Sequence, residues 1–215
     1  MKDILSELPK KIKGFLADDE GLRLYELARE SSSLGPCLEI GSYCGKSAVY
    51  LGLACKQMGN ILFSIDHHKG SEEHQPGEEY HDPDLYDPDT ESIDSFREFQ
   101  KTISLAGLNE TVVPIVAKSN IVAKFWSTPL SLVFIDGGHS FETAFADYSC
   151  WASHIIANGF LVIHDIFPDP SKGGQAPYDI YKLAVSSGLF REHPMVNTLG
   201  ILRRVGPTSS SLQAF

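Results

Sequence analysis

The sequence predicts an α/β fold, an open parallel sheet with crossover helices, closed by a C-terminal antiparallel hairpin and covered by an N-terminal helix. Three observations carry this. Short apolar runs alternate with helical patterns along most of the 215 residues. Four of the five runs end at an acid, as the carboxyl rim of an open α/β sheet does when it gathers a ligand. The stretch 190–205 holds two extended runs around Asn197 with no helix between them.

In chain order, Leu22, Leu24, Tyr25, Leu27 and Ala28 recur at helical spacing after Asp18 and Asp19, which are placed to cap the start. Residues 1–35 are therefore a helical cover before the first strand. Strands fall near 37–41, 61–66, 112–117, 130–136 and 160–165, and helices near 45–58, 93–106, 119–126, 141–157 and 178–187. No linker interrupts residues 1–215, which read as one domain, and only 207–215 look frayed.

Composition narrows the function. Hydrophobic content of 42% and charged content of 21% suit a globular chain with a sizeable core. A formal charge of −10 and a pI near 5.2 argue against nucleic acid or an anionic membrane as partner, and favour a small molecule. Cys37, Cys44, Cys55 and Cys150 form no C-x-x-C pair and read as reduced thiols. No apolar run reaches spanning length, and Asp3, Glu7 and Pro9 among the first lysines do not make a secretory signal, so a cytoplasmic setting is expected.

The segment Leu38-Glu39-Ile40-Gly41-Ser42-Tyr43-Cys44-Gly45-Lys46-Ser47 reads as a buried strand, a glycine turn and a helix start. Free N–H groups and the helix dipole there attract negative groups. A phosphate-binding P-loop needs four residues between its glycines, and only Ser42, Tyr43 and Cys44 intervene. A dinucleotide fingerprint needs glycine where Tyr43 stands. A plain tight turn stays open as the bland account.

An acid two residues before Gly41 and a glycine four after it resemble the S-adenosylmethionine loop of class I methyltransferases, closest to the catechol O-methyltransferase type. The resemblance implies a Rossmann-like seven-stranded class I methyltransferase sheet. It also implies a donor site made of Glu39, Gly41, Ser42, Tyr43, Gly45, Ser47, Asp66, His67, Ser119 and Asp136. In it Asp66 accepts from the ribose hydroxyls, Ser47 bonds the methionine carboxylate, and Ser119 with Asn120 reads the adenine edge. A helix or loop cap is the bland account of Asp66 and of Ser119.

The run Ile135-Asp136-Gly137-Gly138-His139 is the second strong signal, because two glycines let the chain bring His139 back to the mouth that Asp136 lines. It resembles metal-dependent O-methyltransferases acting on sugar hydroxyls, in which the aspartate binds Mg²⁺ and the histidine takes the substrate proton. That makes Asp136 and His139 the catalytic pair; a histidine packed on Tyr148 is the bland account. An unperturbed histidine titrates near pH 6.5 and is ready as a base at neutrality. Metal ligands are expected from Asp136, His164 and Asp165. His164 stands where related enzymes carry an acid or amide, so it either shifts the site toward Mn²⁺ or points away from the ion.

Residues 67–91 are too long and polar for an ordinary connection and are expected to form a lid. They hold His67, His68, His74 and His81 among Glu72, Glu73, Glu78, Glu79, Asp82, Asp84, Asp87 and Asp89. Pro83 and Pro88 break any calcium-loop pattern, and a zinc site has no recognisable spacing. A second lid element is expected over 167–177. The leading expectation is a Mg²⁺-assisted O-methyltransferase for a sugar or small polyol, with a homodimer formed by the covering helix and Phe15. The alternatives are a catechol or phenol methyltransferase, with a mouth flanked by Trp126, Trp151 or Tyr178, and a non-catalytic cofactor-binding module.

Overall fold

The computed structural model describes residues 2–71, 77 and 81–206. Glu72, Glu73, His74, Glu78 and Glu79 of the expected lid, and the tail 207–215, lie outside the described residues. The helices are α1 (Lys2–Glu7), α2 (Asp18–Ser31), α3 (Lys46–Gln57), α4 (Phe96–Leu105), α5 (Ser119–Ala123), α6 (Phe141–Trp151) and α7 (Ala176–Ser186). The strands are β1 (Cys37–Ile40), β2 (Leu62–Asp66), β3 (Tyr86–Asp87), β4 (Ser92–Ile93), β5 (Val112–Val116), β6 (Leu130–Ile135), β7 (Ile155–Ile163), β8 (Phe190–Val196) and β9 (Leu199–Arg204). Of these, β3 and β4 form a separate two-stranded ribbon.

The other seven strands lie in the order β5-β2-β1-β6-β7-β9-β8. The first five are parallel and the last two antiparallel, as the sequence pattern predicts. Every residue of β1 and β6 is buried, because helices cover both faces of the central strands. Alternate residues feed opposite layers: Leu132 and Phe134 join Leu24, Leu27 and Tyr50 on one face, while Val133 and Ile135 join Trp151 and Ile180 on the other. The outermost strands, β5 and β8, carry Pro114 and Pro194, residues without an N–H to donate.

Several boundaries differ from expectation. The helix expected over 141–157 stops at Trp151, and β7 starts at Ile155, before the expected 160. The polar pair Asn158-Gly159, which reads as a turn, is an irregular start of the strand, with Asn158 at φ +67° and a register shift opposite Leu130 and Leu132. The helix expected from 93 begins at Phe96, because Ser92 and Ile93 pair with β3. Within the helical cover, α1 is an element that no periodicity in the sequence marks.

Candidate active site

A cavity of about 630 Å³ opens across the carboxyl ends of β5, β2, β1, β6 and β7. Of the expected donor-site residues, Gly41, Ser42, Tyr43, Ser47, Asp66, His67, Ser119 and Asp136 line it, and so do His139, His164 and Asp165. Glu39 and Gly45 do not line it.

Glu39 is fully buried beneath the floor, where its two oxygens accept from Ser47 Oγ (2.8 Å) and Ser64 Oγ (2.6 Å). Burial pushes its carboxyl up to about 8. It therefore supports the loop from beneath. Ser47 spends its one hydroxyl hydrogen on Glu39, which corrects the expectation that this hydroxyl bonds a carboxylate; its place in the first turn of α3 leaves the backbone N–H for that role. Gly45 caps α3 at φ +89°, and a Cβ there would press on Phe99 and Thr102 at 3.2 Å, so its smallness serves packing.

Gly41 is demanded by its surroundings. It sits at φ +86°, and a Cβ would lie 2.0 Å from the carbonyl oxygen of Asp136, so the turns after β1 and β6 pack backbone to backbone. Asp66 holds the glycine loop from the side: one oxygen accepts from Ser42 N (2.9 Å) and Tyr43 N (2.8 Å), the other from His68 N (2.7 Å). Three of its roughly four acceptor positions are thus filled by the chain itself, leaving room for one hydroxyl where two were expected. Ser42 Oγ is buried on the cavity wall with no hydrogen-bond partner among the described residues, an orphan that a polar ligand would satisfy.

At the other end, five titratable side chains converge. His164, 5% exposed, has Nδ1 3.0 Å from Asp136 Oδ1 and 3.5 Å from Asp165 Oδ2, and Nε2 3.0 Å from Glu20 Oε2. Burial opposes a charge on the ring, but the three carboxylates outweigh it and hold the imidazole well above its usual range. Asp165 sits at φ +59°, a strained backbone for a non-glycine residue, and its Oδ2 lies 3.1 Å from His139 Nε2. Burial pushes its carboxyl up, and His139 and His164 more than reverse that, so it stays ionised. The ligand atoms of Asp136, His164 and Asp165 all fall within 4.8 Å of one another. Two hard carboxylates and an imidazole nitrogen are a donor set that suits a divalent ion such as Mn²⁺ or Mg²⁺.

The third arm lies at the β5 end. Ser119 donates its hydroxyl to Asp147 of α6, a buried carboxyl that burial lifts to about 6. Gly137 makes room for that carboxylate, since a Cβ there would stand 2.9 Å from Asp147 Oδ2. Asn120 lines the same wall.

The lid expectation divides. His67, Gly70 and Ser71 line the cavity, and the buried His68 anchors the segment through Nδ1 to Ser95 Oγ at 2.8 Å. None of the described lining of this cavity comes from 167–177, where Gln175 bonds the carbonyls of Phe167 and Gly173 and folds the segment on itself. Trp126, Trp151 and Tyr178 also stay off the cavity: the half-buried Trp126 packs edge-on between Phe63 and Trp151 against the core. The covering helix spends Leu24, Leu27 and Ala28 on the protein's own core.

Sequence reasoning missed three participants. Residues 13–16 form one wall, with Phe15 stacked on Tyr43 at 6.3 Å and Lys13 reaching Asp82 (2.6 Å) and Asp84 (2.8 Å). Glu20 reads as a helix-start acid and does bond Ala17 N, but its carboxylate also reaches His164. Asp147 sits on an ordinary helix pattern with no motif to mark it.

No described helix is long and apolar enough to cross a membrane. A methyltransferase-domain family model matches residues 38–166, more than half of the chain. Solved structures with the same fold include an O-methyltransferase from Bacillus cereus in complex with SAH (S-adenosylhomocysteine), 14% identical over 95% of this chain and 91% of that one, TM-score 0.67. An SAH-bound methyltransferase from Podospora anserina is 15% identical over 96% and 89%, TM-score 0.68. An O-methyltransferase from Streptomyces achromogenes in complex with SAM (S-adenosylmethionine) is 14% identical over 89% and 82%, TM-score 0.61. Matched by the family model from the first sheet strand to just past the strained aspartate, and folded as a seven-stranded Rossmann-like sheet, this chain belongs to the class I methyltransferase family.

Proposed function

We propose that the protein transfers the methyl group of SAM to a hydroxyl of a sugar or similar small polyol, with a divalent ion at Asp136, His164 and Asp165. The observation that carries this is the convergence of those three side chains and His139 at one end of the cavity, next to the loop Gly41–Tyr43. The remaining walls suit the donor. Asp66 has an acceptor position for a ribose hydroxyl, the first N–H groups of α3 and Lys46 suit a carboxylate, and Ser119 with Asn120 suits the base. The O-methyltransferase neighbours solved with SAM or SAH support the same donor.

In this reading His139, whose Nε2 is turned to Asp165, takes the proton of the acceptor hydroxyl through Nδ1 as the hydroxyl oxygen bonds the methyl carbon. The sulfur–carbon bond breaks, and its electron pair stays on sulfur as SAH. Asp165 steadies the imidazolium that results, from 3.1 Å. A bound divalent ion would stabilise the developing alkoxide and orient it for in-line attack. The polar segment from His67 onward acts as a lid, and the placement of Trp126, Trp151 and Tyr178 away from the cavity favours a polyol over a flat phenol. A cytoplasmic setting accords with the four free cysteines, and a homodimer through exposed Leu22 and Phe15 completes the reading.

Incubation with SAM and a panel of sugars and catechols tests it by SAH formation. The expected result is turnover with a sugar or polyol, lost on dialysis against a chelator and restored by Mg²⁺ or Mn²⁺. Full turnover in chelator overturns the metal role, turnover of catechols alone favours the phenol alternative, and SAH binding without turnover of any acceptor favours a binding module. Sedimentation equilibrium tests the dimer.

A further inference from the structure

We propose that Glu20, on the N-terminal covering helix, is the positioning residue that decides which nitrogen of His164 is presented to a divalent ion. The proposal rests on the metal reading above and deepens it. Glu20 is 2% exposed and joins three parts of the fold. Oε2 accepts from Ala17 N (3.1 Å) at the start of α2 and lies 3.0 Å from His164 Nε2 just past β7, while Oε1 accepts from Thr198 N (2.9 Å) and Thr198 Oγ1 (2.8 Å) in the β8–β9 turn.

The bonding leaves little freedom. Both Glu20 oxygens already accept from groups that can only donate, the Ala17 and Thr198 amides, so the carboxylate faces His164 as an acceptor. The hydrogen between Glu20 and His164 therefore belongs to Nε2. Nδ1, whose hydrogen faces Asp136 and Asp165 while no ion is bound, is then the one ring nitrogen whose proton an ion between those two carboxylates can displace, leaving its lone pair to the ion. A histidine ligand with its far N–H on a carboxylate has its tautomer and ring orientation fixed and its basicity raised. Glu20 stands in that relation to His164. It does so from α2, which precedes every strand of the sheet in the chain, so the cover that shields the core also sets the geometry of the rim.

Calorimetry with Mn²⁺ and with Mg²⁺, alongside the absorption spectrum of the Co²⁺-loaded protein, tests the role without relying on turnover. Glu20→Gln should weaken Mn²⁺ binding by about 10- to 100-fold, lower the Mn²⁺-to-Mg²⁺ affinity ratio and alter the Co²⁺ spectrum, while SAH affinity stays unchanged. In a His164→Asn background the same substitution should leave Mn²⁺ affinity where it was. Thr198→Val, which removes one donor from Glu20 and keeps the carboxylate, should shift the ratio in the same direction by less, and it stands in if Glu20→Gln fails to fold. An unchanged Mn²⁺ affinity and ratio in both variants overturns the proposal and leaves the metal reading intact. An equal loss in the His164→Asn background assigns Glu20 a merely structural role and also overturns it. A wild-type protein that takes up no Mn²⁺ overturns both the proposal and the metal reading.

Discussion

Tyr43 donates its backbone N–H to the Asp66 carboxylate at 2.8 Å, joining the turn after β1 to the end of β2. The bond holds Tyr43 at φ +45°, a left-handed backbone that a tyrosine adopts at a cost. Asp66→Ala should therefore unlock the loop as well as remove the acceptor proposed for a ribose hydroxyl. The expected loss is about 2 kcal/mol of stability in urea unfolding, with SAH affinity in calorimetry reduced at least about tenfold.

Gly41→Ala should be among the most damaging single-methyl additions in the chain. Its Cβ would stand 2.0 Å from the Asp136 carbonyl oxygen, and φ is +86°. A loss of about 3 kcal/mol or more is expected in thermal unfolding. Gly59→Ala is the control: φ is +66° but nothing lies within 4 Å of the added atom, so about 1 kcal/mol is expected.

His139→Ala should lower kcat by about 10²- to 10⁴-fold. The imidazole is 36% exposed and its contact with Asp165 lies at the cavity wall, outside the hydrophobic core. SAH affinity should therefore hold within about twofold. A parallel fall in SAH affinity would move His139 from proton transfer to donor binding.

Asp147 gives the stability a pH dependence. Burial raises its carboxyl to about 6, above the unfolded value near 3.9. As pH rises from about 4 to 6 the unfolded chain releases this proton before the folded one, so the folded state loses on the order of 2–3 kcal/mol and then levels off. Asp147→Asn should remove that fall: the variant gains on wild type from pH 4 to pH 7 in chemical denaturation.

The rim of the site was legible because strand ends, glycines and acids occupy fixed places in an open α/β sheet. Asp66, Asp136, His139 and Asp165 all stand on the cavity where that logic puts them. What was not legible depends on contacts between distant segments. Ser47 lies at the expected helix start, yet only the packing of β1 under α3 shows that its hydroxyl is committed to Glu39. Glu20 carries the local signature of a helix-start acid and gives no sign of His164, 144 positions away. Asn158-Gly159 is a turn pair by composition, and only the pairing of Ile155 and Phe160 with β6 on either side of it carries the strand through.

Pro114 and Pro194 have a consequence beyond their own strands. Each removes one amide donor from an outermost strand, which makes either flank of the sheet a poorer template for ladder growth by a neighbouring molecule.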